Sequence, residues 1–142
     1  MRQSVLLLFI FAFAACRDTG ARLREYTYPP SFEYIEQSRL QSSMWVLASE
    51  VRRLDRTLRK PAGDPAEQQR QVAEILMRVD GAIGGIATPG RVTQHPLLNR
   101  NLPRFREQVR RARADVARTP PSYFTATTIV GSCTACHDSA ES

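Results

Sequence analysis

The 142 residues suffice for one small domain with one core. Twenty Lys and Arg stand against fourteen Asp and Glu, a formal charge of +6, and Lys60 is the only lysine. That balance favours acidic partners or anionic surfaces, and three cysteines are too few for a disulfide framework.

The chain opens on Met1-Arg2, runs through apolar residues 5–15 and reaches Cys16. A basic start, a short apolar run and small residues before a cut site describe an export signal, too short to span a bilayer as a mature helix. Nucleic acid is therefore excluded as a partner; an acidic redox protein or lipid head groups fit the destination. Phe13-Ala14-Ala15-Cys16 resembles the lipobox of bacterial lipoproteins. The resemblance implies a signal peptide over 1–15, a lipid on Cys16, a periplasmic protein and, with Arg17 rather than Asp next, the outer membrane. Phe13 stands where Leu is usual, so ordinary cleavage after or near Ala15 is the alternative.

Residues 16–30 read as a tether, because Asp18, Thr19, Gly20 and Pro29-Pro30 interrupt any periodicity. Helical spacing then begins. Leu40, Met44, Leu47, Val51, Leu54 and Leu58 recur at 4-3-4-3-4, the seam of a bundle helix with Ser31 as a candidate cap. Asp64-Pro65-Ala66-Glu67 is a strong start signal, with Asp as cap, Pro at the first helical position and Glu closing a capping box. Val72, Leu76, Val79 and Ile83 carry the second helix, which should fail at Gly84-Gly85. After a loop holding Pro89-Gly90, a third helix follows from Leu98, Leu102, Phe105, Val109, Ala112 and Val116, with Asn101 or an earlier residue as cap because of Pro103. A fourth opens at Thr119-Pro120-Pro121, with Tyr123, Ala126, Val130, Cys133 and His137 on its seam. The expectation is an all-α, antiparallel up-down-up-down four-helix bundle over 31–142, with no strand.

The fourth helix carries Cys133-Thr134-Ala135-Cys136-His137. Cys-x-x-Cys-His is the attachment motif for haem c, in which two thiols join the porphyrin and the histidine binds iron. On a helix the three residues share a face. A thioredoxin-like redox pair would sit near a βαβ pattern, which is missing, and zinc would need further Cys or His ligands. Only Cys16 and His95 remain to supply them.

A lone motif of this kind near the end of an exported four-helix bundle resembles the cytochrome c′ and cytochrome c556 family, on Cys133-Thr134-Ala135-Cys136-His137, the preceding Tyr123 and the helix spacing. The resemblance implies one covalently attached haem c between the helices, with His137 as proximal ligand. It divides by the sixth position: a methionine from the first helix gives a low-spin electron carrier, whereas an apolar residue leaves five-coordinate iron that binds NO or CO. Such bundles also pair as homodimers through their outer faces.

Met44 is the one methionine on the first helix and occupies its seam, so it is the candidate distal ligand; the bland alternative is a core filler. Whether it reaches the level of His137 depends on where the helix begins, at Ser31 or nearer Glu36. Met77 and His95 are the rival ligands, but Met77 reads better as a flank or core residue and His95 as loop surface. Trp45 is a candidate to pack on the porphyrin or an ordinary bundle tryptophan. Arg100, Arg104, Arg106, Arg110, Arg111, Arg113 and Arg118 face only Glu107 and Asp115 in the third helix region. One of them would suit a haem propionate, and the rest would form a basic face. No catalytic constellation accompanies the motif, so the expected work is one-electron transfer rather than catalysis. The rivals are gas binding and service as an accessory haem subunit that docks on a larger oxidoreductase.

Overall fold

The structure, a computed structural model, describes residue 27 and residues 29–138. The expected signal peptide, Cys16 and most of the tether lie outside the described residues.

The fold is all-helical in its substance, with four helices: α1 (Gln37–Arg59), α2 (Pro65–Ile86), α3 (Pro96–Val116) and α4 (Phe124–Asp138). α1 packs on α2 and α4, α2 on α3, and α3 on α4; the diagonal pairs make no close backbone approach among the described residues. Polar contacts tie neighbouring helices at successive levels. Between α1 and α2, Ser43 Oγ donates to the Gly85 carbonyl at 3.4 Å, Arg78 meets Glu50 at 3.0 Å and Gln68 Nε2 donates to the Thr57 carbonyl at 3.1 Å. Between α2 and α3, Arg113 meets Asp80 at 2.5 Å and Gln69 donates to the Val116 carbonyl at 2.7 Å. Between α3 and α4, Thr125 donates to Asp115, Ser132 to Gln108 and Asn101 to the Cys136 sulfur.

The core forms where the 3.6-residue period places apolar side chains on one stripe of each helix. Leu54, Val72, Leu76, Val79, Ile83, Val109, Ala112 and Val116 are completely buried. In α4 the buried pair is Ala126 and Ile129, while Val130 is only half-buried. The inner stripe therefore runs 126-129-133-136, one residue off the expected line through Val130.

The expectations of no strand, of a second helix failing at Gly84-Gly85 and of a fourth opening at Thr119-Pro120-Pro121 need correction, whereas the starts of α1 and α3 fall on alternatives the sequence left open, near Glu36 and before Asn101. α1 begins at Gln37, not at Ser31, because residues 32–33 leave helical geometry to form β1 (Phe32–Glu33), a parallel pair with β2 (Val92–Thr93). These two-residue strands are too short for alternation to announce them. They are held by side chains: the Ile35 N–H donates to Gln94 Oε1 at 3.0 Å while Gln94 Nε2 donates back to the Ile35 carbonyl, and Asn99 bonds both backbone groups of Thr93. α2 runs through Gly84-Gly85 to Ile86, since fully buried Ile86 and the two donors from α1 onto the Gly85 carbonyl, Arg39 and Ser43, offset the roughly 1 kcal/mol that each glycine costs. α3 starts at Pro96, with His95 in the cap position, and continues across Pro103 because Leu98 and Leu102 are both buried. α4 starts at Phe124, three residues beyond Pro121.

The second helix starts as its residues dictate. Asp64 caps it by accepting from the Ala66 and Glu67 N–H groups at 3.1 and 3.3 Å, with Pro65 at the first position. Glu67 does not close the box; its carboxylate turns to Arg70 and Gln71 instead. At Thr88-Pro89-Gly90-Arg91 the Arg91 N–H donates to the Thr88 carbonyl and Gly90 adopts φ +80°, the left-handed value a type II turn requires at its third position.

Candidate functional site

One half-open cavity of about 240 Å³ lies where α1, α3 and α4 meet. α4 supplies Ser132, Cys133, Ala135, Cys136 and His137; α1 supplies Met44 and Leu47. α3 supplies Leu98, Asn101, Leu102, Arg104, Phe105 and Gln108. Four residues singled out by motif and spacing, Met44, Cys133, Cys136 and His137, thus line one space although the chain places them at opposite ends of the domain.

Local structure explains each position. Cys133, Cys136 and His137 fall at i, i+3 and i+4 on α4, hence on one face. Both thiols are unbridged and half-buried, and His137 is exposed in the last turn. Burial pushes the Cys133 thiol up, and the neighbouring Cys136 adds to the effect, so Cys133 stays protonated past the ordinary thiol range. Asn101 Nδ2 lies 3.5 Å from Cys136 Sγ, and Ser132 Oγ donates to Gln108 Oε1 at 3.3 Å, so α3 fastens the motif on both sides. Because α1 starts at Gln37, Met44 falls in its third turn rather than its fourth, and it packs half-buried against the core.

The cavity wall is mostly apolar, with Leu47, Leu98, Leu102 and Phe105 against the polar Asn101, Arg104 and Gln108. Arg104 is the only arginine on it. Phe105 stands on the expected seam Leu98-Leu102-Phe105-Val109, whereas Asn101, Arg104 and Gln108 were legible only as a consequence of the helix itself, bordering that seam at three- and four-residue steps. No motif marks them.

Other candidates lie elsewhere. His95 is in the cap position of α3, not on the cavity, and its Nε2 is enclosed without a hydrogen-bond partner among the described residues, so it is not simple loop surface. Met77 is 53% exposed, in a groove with Ala73 and Arg113 between α2 and α3. Trp45 is 70% exposed and does not line the cavity, so it is not placed to pack on a group held there.

Three of the six arginines of α3 meet a carboxylate, as does Arg118 just beyond it, whereas Arg100, Arg104 and Arg106 meet none among the described residues. Arg110 and Arg111 both pair with Glu107, Arg113 with Asp80, and Arg118 with Asp115, while Arg106 donates to the Ala87 carbonyl. Among the described residues no three His, Cys, Asp or Glu gather as a metal-binding group, and no helix is long and apolar enough to cross a membrane. No protein-family model, curated protein or solved structure matches the chain.

Proposed function

We propose that this protein is a monohaem c-type cytochrome carrying one electron at a time, an antiparallel up-down-up-down four-helix bundle whose haem c is bound through α4. The observation that carries the reading is the shared cavity: the two thiols and the imidazole of a Cys-x-x-Cys-His motif face the same apolar space as the one methionine of α1. The antiparallel arrangement is supported by the polar ties between helices, in which residue number rises on one helix as it falls on the next: 43 with 85, 50 with 78 and 57 with 68.

The residues present fit the group. Cys133 and Cys136 would each become a thioether by adding S–H across a porphyrin vinyl group. His137 would bind iron on the proximal side and Met44 on the distal side, and the haem would supply a ferric–ferrous couple. Met44 brings a soft thioether, which favours the ferrous state. Leu47, Leu98, Leu102 and Phe105, which line the cavity, would exclude water from the group, and Arg104 would meet a propionate with a charge-assisted hydrogen bond. Zinc is the weaker use of the two thiols, since a structural zinc site takes four Cys or His ligands.

The same reading places the protein in the bacterial periplasm, lipid-anchored at Cys16 to the outer membrane, handing electrons to an acidic redox partner. One observation favours a second reading. Met44 packs against the core cluster as a filler would, and in that case the iron would be five-coordinate and would bind NO or CO. Absorption spectra of the matured protein, ferric and ferrous, with and without either gas, decide between them. A low-spin spectrum with the weak far-red methionine–iron band, lost in Met44→Leu, is the expected result. A high-spin spectrum that responds readily to gas overturns Met44 ligation, and absence of covalent haem overturns the reading altogether.

A further inference from the structure

α1 keeps one face that no other helix covers. Ser38, Gln41, Trp45, Ser49, Arg52, Arg56 and Lys60 succeed one another at steps of three and four, so they form a single stripe, and all are exposed. At 1.5 Å per residue the stripe is about 33 Å long. It contains no carboxylate. Glu50 is turned to Arg78 on α2, and Asp55, at the edge, is held by Arg59 at 2.7 Å. Arg53 lies to one side, on a groove with Glu67 and Glu74. Arg52, Arg56 and Lys60 have no ion-pair partner among the described residues. The stripe therefore carries three uncompensated positive charges.

Trp45 is the apolar feature of the same stripe. Its neighbours one turn away are Gln41, Ser42, Ala48 and Ser49, three of them small, which leaves the ring standing above the surface at 70% exposure. Val46, 54% exposed, flanks it.

We propose that this face of α1 docks on an anionic lipid bilayer, with Trp45 entering the headgroup layer and Arg52, Arg56 and Lys60 meeting lipid phosphates. An indole has an apolar body and one N–H donor, which suits the membrane–water boundary. Basic residues beside an anionic leaflet are attracted within a Debye length of it. A straight row of one ring and three cations matches a plane better than a recessed pocket, which would take the ring and leave the row behind. The inference is independent of haem and of any lipid on Cys16.

Trp45 is the only tryptophan in the chain, so its emission reports on this face alone. The full chain is mixed with phosphatidylglycerol-containing vesicles and with pure phosphatidylcholine vesicles. Emission is read as the ratio with brominated to unbrominated lipid, in which any fixed quenching by a bound cofactor cancels. The expected result is quenching on anionic vesicles only, reversed by salt. The Arg52→Gln/Arg56→Gln/Lys60→Gln variant should need roughly a hundredfold more anionic lipid for the same effect. The proposal is overturned if the chain sediments with anionic vesicles while Trp45 stays unquenched, or if neutral vesicles quench equally. Two further outcomes also overturn it. A shift in Trp45 emission with protein concentration alone would assign the face to a second copy, and a response to polyglutamate but not to vesicles would assign it to an acidic protein.

Discussion

Asn101 on α3 holds Cys136 on α4, its amide nitrogen 3.5 Å from the sulfur. The contact fixes one thiol against the cavity wall in the last two turns of a helix that ends at Asp138. Replacing Asn101 with Leu removes this donor and loosens the hold of α3 on Cys136. On the proposed haem c reading, the expected outcome is a larger share of matured protein with one thioether instead of two. It would be seen as a shift of the reduced haem absorption to longer wavelength and as an alkylatable Cys136 by peptide mass mapping. An unchanged spectrum and no labelled Cys136 would mean that α4 alone fixes the thiol.

Ile129 and Val130 are adjacent but differ in burial: the first is 0% exposed and the second only half-buried. Ile129→Ala should cost about 2–5 kcal/mol, as large-to-small changes in a packed core do. Val130→Ala should cost well under half of that. Urea denaturation of the two variants checks the difference, and equal losses would restore the stripe through Val130.

Glu33 gives the fold a specific pH dependence. Burial opposes its charge, but the Thr88 N–H at 2.7 Å and the Arg39 guanidinium at 3.3 Å outweigh burial and hold the carboxyl below its usual range. A depressed carboxyl contributes stability above its unfolded value of about 4.3, and that stability is lost as pH falls through the lower folded value. Arg39 is half exposed, so most of the effect belongs to the backbone donor. Glu33→Gln should therefore lose about 1 kcal/mol at pH 7. The gap between wild type and variant should close below pH 4. A gap that persists at pH 3 would show that the charge is not what Glu33 contributes.

Gln68 is the most buried amide side chain of the helices, 6% exposed, and both ends of it are used. Its nitrogen donates to the Thr57 carbonyl at 3.1 Å and its oxygen accepts from the Ala62 N–H at 2.8 Å. Gln68→Leu keeps the volume but orphans two backbone groups in the α1–α2 turn. A loss of about 1–3 kcal/mol follows from leaving them unpaired, and the thermal midpoint should fall by several degrees.

The seams of α1, α2 and α3 were legible because each is long and its apolar spacing is regular. Leu47, Val51 and Leu54, or Val72, Leu76, Val79 and Ile83, needed only the helical period. α4 is shorter and has Thr, Ala, Gly and Cys on every side, so periodicity carried little weight and the line passed through Val130 instead of Ile129. Gly84-Gly85 and Pro103 mislead for one reason: they are local costs that tertiary burial of Ile86, Leu98 and Leu102 overrides. The motif residues and Met44 stood out because their chemistry is rare in the chain. Asn101, Arg104 and Gln108 did not, since a polar residue beside a seam is common and only the partner helix gives it a use. Counting arginines pointed to α3 but could not tell which of them meet a carboxylate in space: Arg110 and Arg111 share Glu107 and Arg113 meets Asp80 from another helix, whereas Arg100 and Arg104 have no such partner among the described residues.

The parallel pair β1–β2 has a mechanical consequence. Its bonds and the two-way clamp of Gln94 on Ile35 all act upstream of Gln37, where α1 begins. Tension on the chain before Ser31 would reach this splice first and pass into the segment leading to α3, loading its short bonds side by side, in shear. The first turns of α1 would be relieved of that load, and Met44 with them. A protein pulled from its N-terminal side would then keep the cavity in register until the splice gave way.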